Sequence, residues 1–244
     1  MTREKAGPHQ AEPLVWAGRR PDQAAAAMVM VHGRGATADS ILDLRHEFGH
    51  PELAYVAPQA AGDSWYPDRF LAPIEQNEPG LSSGLARLGE ALAELEAAGI
   101  PPERTILLGF SQGACLALEF AARNDRRYAG IAGLSGALIG PPGSPRTYPG
   151  SLAGTPVFLG CSDRDPHIPR GSVDETAQVL QRMGAEVTER IYPAMGHTVN
   201  GEELEFVRGM IAGIAAGVSS PADPSSPRPS SPIALPPTGR RGSS

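Results

Sequence analysis

TILLGFSQGACLALEF, residues 105–120, is the stretch on which the fold turns. Thr105 to Leu108 is a β-branched and aliphatic run of the kind that forms a buried strand, and Cys115 to Ala122 is an apolar, alanine-rich run that forms a buried helix. Between them lies Gly109-Phe110-Ser111-Gln112-Gly113. A serine with glycine two residues to either side, at a strand-to-helix turn, is a nucleophile elbow: the turn is too sharp for bulky neighbours, and glycine lets the backbones pass. The serine hydroxyl is then held above the sheet, where the start of the helix offers N–H groups to developing negative charge. Such a site is built to attack carbonyl groups. The pentapeptide alone is common; the strand before it and the helix after it give it meaning.

Working towards the N-terminus, Leu14 to Gly18 reads as an outer strand and Ala25 to Val31 as a buried one. The latter ends at His32-Gly33-Arg34-Gly35, and Thr37 or Asp39 can cap a helix over SILDLRHEF, residues 40–48. Small residues directly after a central strand let backbone N–H groups face the same pocket as Ser111, which builds the other half of an oxyanion hole. Leu53 to Ala57 is a further strand. The connection after it, residues 58–80, is long for a compact domain and carries Trp65, Tyr66, Phe70, Leu71 and Ile74. It is too apolar for disorder, and Trp65, Phe70, Leu71 and Ile74 are expected to form a wall or lid over the substrate pocket. From Gly80 to Ala98, Leu81, Leu85, Leu88, Leu92 and Leu95 recur at spacings of three and four, the pattern of a helix packed on a sheet.

Towards the C-terminus, strands are expected at 128–134, 156–160 and 186–192, with helices at 171–183 and 202–216. Strand and helix alternate throughout, which implies a mostly parallel sheet covered on both faces. An activated serine needs a base, and the base needs an acid to fix its tautomer. His197 follows the last strand and precedes the last helix, where the base belongs. His9 falls in the N-terminal segment, His46 and His50 lie around a helix end, and His32 is better placed to brace the oxyanion loop. The segment SDRDPHIP, 162–169, offers two acids. Asp165 is preferred because Pro166 and Pro169 fix the chain direction around it; Asp163 is then left to brace the turn, and His167 to sit at the pocket rim.

The segments MVHGRGA (30–36), LGFSQGACLAL (108–118), SDRDPHIP (162–169) and AMGHTVNGEEL (194–204), in that order, resemble the phospholipase/carboxylesterase family of α/β hydrolases, which includes acyl-protein thioesterases and small bacterial carboxylesterases. The resemblance runs from about Leu14 to Ala216. It implies an α/β-hydrolase fold and a cofactor-independent serine esterase, with Ser111 as nucleophile, His197 as base and Asp165 as acid. It also implies that the backbone N–H groups of Arg34 and Gln112 hold the oxyanion. Arg34 departs from the aliphatic residue usual in thioesterase members, and a cation at the pocket mouth is expected to favour anionic or polar substrates. The expected activity is hydrolysis of small-molecule carboxylic esters through an acyl-enzyme. An acyl-thioesterase or lysophospholipase is the alternative, and a silent binding protein is disfavoured by the intact Ser, Asp and His set.

Composition narrows the partners. The chain has 244 residues, 41% of them hydrophobic and 20% charged, enough for one domain with a full core. Its net charge of −6 and lack of Lys/Arg clusters argue against nucleic acid. The polar start MTREKAGPHQAEP lacks a signal-peptide core, and no run approaches the roughly 20 apolar residues of a membrane span. A cytoplasmic protein is therefore expected. Cys115 and Cys161 read as reduced core residues, no Cys/His spacing suggests a metal, and no cofactor motif is present. The expected partner is a small ester or thioester; homodimer formation is left open. Residues 1–12 are expected to be flexible, 13–217 to form the domain, and the Pro/Ser-rich 218–244 to be disordered.

Overall fold

The computed structural model describes residues 7–215. In chain order the elements are β1 (Leu14–Gly18), β2 (Ala27–Val31), α1 (Ala38–Leu42), α2 (Arg45–Phe48), β3 (Ala54–Pro58), α3 (Gly80–Ala97), β4 (Thr105–Phe110) and α4 (Gln112–Arg123). They are followed by β5 (Gly130–Leu134), β6 (Pro156–Ser162), α5 (Arg170–Arg182), β7 (Glu186–Tyr192) and α6 (Gly201–Ala215). The seven strands form one sheet in the order β1-β3-β2-β4-β5-β6-β7, with only β1 antiparallel to its neighbour. The inner strands are continuous apolar runs because both of their faces are covered. The edge strand β7 (EVTERIY) alternates instead, and it occupies the residues its pattern predicts.

Two apolar layers flank the sheet. One joins Val29, Val31 and Leu107 of the sheet to the leucine stripe of α3 and to α4 and α5; the other joins Met28, Met30, Ile106 and Leu108 to α1, α2 and α6. Helix α4 is buried from Gln112 to Ala122, wedged between the sheet and α3. Because β2, β4, β5, β6 and β7 run parallel, their carboxyl ends and following loops collect at one edge of the sheet, the place where open α/β sheets bind ligands.

Two expectations are corrected. The helix expected over 40–48 is split: Thr37 and Ser40 form a reciprocal capping box at the start of α1, and Leu44 N–H then reaches back only three residues to Ile41 O. That tighter turn redirects the chain into α2 and buries Phe48. The N-terminal segment from Gly7 onwards is seated rather than loose. His9 is buried, with Nδ1 accepting from Ala61 N–H at 3.0 Å, Nε2 bonded to Trp65 O at 2.9 Å and its own N–H donating to Ser83 Oγ. Gln10 bonds Ser83, and Arg87 reaches Glu12 O. These polar residues are held by partners more than fifty positions away, which composition does not reveal. The expected tail at 218–244 lies outside the described residues.

Candidate active site

The elbow is shaped by crowding. A Cβ on Gly109 would lie 2.6 Å from Ala114 Cα, and one on Gly113 would run into the carbonyls of Val31 and His32 at the end of β2. With both positions restricted to glycine, the chain folds back sharply and Ser111 adopts φ 55°, ψ −121°. A non-glycine residue held there costs about 1–3 kcal/mol. The surroundings fix it all the same: Ser111 N–H donates to Leu134 O at 2.9 Å, and Cys115 N–H to Ser111 O at 3.0 Å.

His197 comes from the loop joining β7 to α6. Three anchors hold that loop: Ala194 N–H donates to Asp163 Oδ1 at 2.7 Å, Gly196 N–H to Ser162 Oγ at 3.0 Å, and Asn200 and Glu203 exchange bonds across the start of α6. Its imidazole rests against Phe110, with ring centroids 5.1 Å apart, and against His167 at 4.7 Å. Nε2 is 2.8 Å from Ser111 Oγ and Nδ1 is 2.7 Å from Asp165 Oδ2. The other Asp165 oxygen accepts from His167 N–H at 2.8 Å and Ile168 N–H at 3.0 Å. Burial would raise the Asp165 carboxyl, but these bonds and the neighbouring imidazole bring it below the usual carboxylate range. An ionised carboxylate accepts at Nδ1, so Nδ1 carries the proton and the Nε2 lone pair faces the serine hydroxyl. Three residues drawn from loops 54 and 32 positions apart thus form one hydrogen-bond chain.

The chain opens into a cavity of about 430 Å³. Gly33, Arg34 and Gln112 line it beside Ser111, while Tyr66, Phe70, Phe110 and Ile168 supply apolar walls, and His167 lines it beside His197. Of the four aromatic and aliphatic residues expected around the substrate, only Phe70 lines this space. Trp65 is fully buried behind the wall, its indole N–H donating to His32 O at 2.9 Å, and Leu71 and Ile74 pack half-buried against the core. Tyr66, named with this loop but not among the expected substrate contacts, lines the cavity too, and Phe110 and Ile168 are lining residues that the sequence reading missed. Phe110 and Ile168 each stand next to, or close to, a triad candidate, and that adjacency is the signal that would have found them.

His32 braces the loop that follows β2: Ala60 N–H donates to its Nε2, so its Nδ1–H donates to Gly33 O at 2.8 Å, and burial lowers its pKa. Burial also pushes the Cys115 and Cys161 thiols up to about 12, so neither supplies a thiolate at neutral pH. The Arg34 guanidinium, whose residue lines the cavity, donates to the main-chain oxygens of Tyr66, Pro67 and Asp68.

Residues 12–214 match the family described as Phospholipase/Carboxylesterase. The chain belongs to this family of serine hydrolases. As a member, it is 26% identical over 216 residues to acyl-protein thioesterase 1 of Gibberella zeae, covering 78% of this chain and 90% of that one. It is also similar to the crystal structure of a phospholipase/carboxylesterase from Dyadobacter fermentans, at 42% identity and a TM-score of 0.81, over 85% of this chain and all of that one. A carboxylesterase from Mesorhizobium loti, 20% identical with a TM-score of 0.64 over 86% of this chain and all of that one, shares the fold. Among the described residues no helix is long and apolar enough to cross a membrane.

Proposed function

We propose that this family member is a carboxylesterase for small-molecule esters, with Ser111 as nucleophile, His197 as general base and acid, and Asp165 as the group that orients the imidazole. The observation that carries this reading is the unbroken hydrogen-bond chain from Asp165 through His197 to Ser111, opening into a cavity walled by Tyr66 and Phe70. Ser111 Oγ attacks the acyl carbonyl as its proton passes to His197 Nε2. The N–H groups of Gln112 and Arg34 receive the negative charge on the carbonyl oxygen. When the tetrahedral intermediate collapses, His197 returns the proton to the departing alkoxide, leaving the acyl group on Ser111. Water then attacks with its proton going to His197, and the acid is released. The chain and water suffice for every step. Two free, buried cysteines support a reducing, cytoplasmic setting.

A thioesterase reading draws on the relatives named acyl-protein thioesterase 1. The two readings part on acyl length. Initial rates on nitrophenyl esters from acetyl to palmitoyl, with a long-chain acyl thioester alongside and Ser111→Ala as blank, are expected to fall as the acyl group outgrows a cavity of about 430 Å³. Preference for the long chain or the thioester would favour the second reading. Rates no higher than the blank on every substrate would remove the esterase reading altogether.

A further inference from the structure

The oxyanion loop has little stiffness of its own. Between His32 and Ala36 it contains Gly33 and Gly35, the latter at φ 75°, and it makes a turn outside any helix or strand. The donors proposed above must nevertheless stay fixed, because an oxyanion hole works by preorganisation. Rigidity reaches the loop from the segment Ala60–Asp68. Ala60 N–H bonds the His32 ring, Gly35 N–H bonds Asp63 O at 2.7 Å, and Trp65 Nε1–H bonds His32 O.

The same segment holds the elbow. The Gln112 side chain accepts from Trp65 N–H at 3.0 Å through Oε1 and donates to Tyr66 O at 2.8 Å through Nε2. Arg34 Nη2 donates to that same Tyr66 oxygen at 2.9 Å and also to Asp68 O, while Nη1 donates to Pro67 O at 2.8 Å. One carbonyl oxygen therefore joins the side chains of Arg34 and Gln112, the two residues proposed above to hold the oxyanion through their main-chain N–H groups. A planar guanidinium with several fixed donors can gather three carbonyls; a lysine ammonium on a flexible stem holds them less well.

We propose that the Arg34 side chain is a positioning residue: by binding Tyr66, Pro67 and Asp68 it clamps the cavity wall to the oxyanion loop and keeps the Arg34 and Gln112 N–H groups converging on one point. The proposal rests on the esterase reading and assigns the guanidinium a role in the transition state rather than in recognising substrate charge. Arg34 is an exposed residue, so its replacement leaves the core intact. Arg34→Met keeps the N–H and most of the stem but removes the fork. A misplaced oxyanion donor lowers kcat, so this variant is expected to lose roughly ten- to a hundredfold in kcat on a short nitrophenyl ester. KM should stay within about threefold and the pH–rate profile should keep its midpoint, since His197 and Asp165 are untouched. Arg34→Lys should recover only part of the loss. Combining Arg34→Met with Gln112→Met should cost less than the product of the two single effects, because both act through Tyr66 O.

An Arg34→Met variant within about twofold of wild-type kcat would overturn the proposal. So would a loss confined to KM and to anionic esters, which would make Arg34 a reader of substrate charge, or full recovery by Arg34→Lys. Labelling of Ser111 by a fluorophosphonate in the wild type separates these outcomes from failure of the esterase reading. A wild type that is neither labelled nor active would sink both.

Discussion

The elbow at Gly109–Gly113 and the wall segment Ala60–Asn77 meet at Tyr66 O, yet they are held by different means. The elbow takes its shape from its own sequence, two glycines with a strand that ends and a helix that begins within five residues, and distant groups such as Leu134 O and the Gln112 partners only brace it. The wall has almost no regular structure, and distant groups hold it in place. His9, His32, Arg34 and Gln112 each reach it from another part of the chain. The loop carrying His197 is of the second kind, fixed by Ser162, Asp163 and the Asn200–Glu203 pair. Local constraint shapes the turn that carries Ser111, while long-range polar bonds bring the remaining groups to it.

The contrast is open to test at both distantly held segments. The larger effect belongs to Trp65, whose fully buried ring anchors the wall. Trp65→Ala is expected to lower stability by about 3–5 kcal/mol, the usual cost of deleting a buried aromatic side chain, as read from urea unfolding. It also leaves His32 O without its indole donor. A variant as stable as wild type but with an altered acyl preference would restore Trp65 to the substrate pocket and blur the distinction.

A smaller effect is expected at Glu203, which anchors the His197 loop from a fully buried position. Burial, partly offset by the bond from Asn200 N–H, raises its carboxyl to about 7 from an ordinary 4.5. Between those values the unfolded chain has released its proton and the folded chain has not, so stability falls as pH rises from 4.5 towards 7. The full effect is up to roughly 3 kcal/mol. Glu203→Gln has no proton to lose, and its melting temperature relative to wild type should climb between pH 5 and pH 7.5. Parallel profiles for the two proteins over that range would place the control of this loop elsewhere.

What the sequence made legible follows the same division. The elbow, the alternating strand β7 and the leucine stripe of α3 all depend on residues close together in the chain, and each can be read from spacing alone. Ser111, His197 and Asp165 could be chosen as a set because their order along alternating strands is itself a pattern. Trp65 was misassigned because an apolar residue in a long loop looks the same whether it faces a cavity or is buried with its indole N–H on a carbonyl of another loop. His9 was misassigned because a buried histidine with two partners has the composition of a loose one. The Arg34 cation was visible, but its direction depended on three carbonyls more than thirty residues away.

The most direct test of the account is hydrolysis of a short-chain nitrophenyl ester by wild type and by Ser111→Ala under identical conditions. The account predicts Ser111-dependent turnover, with the variant slowed on the order of a million-fold or to the uncatalysed background, because a triad works as a unit. A Ser111→Ala protein that keeps the wild-type rate would contradict it.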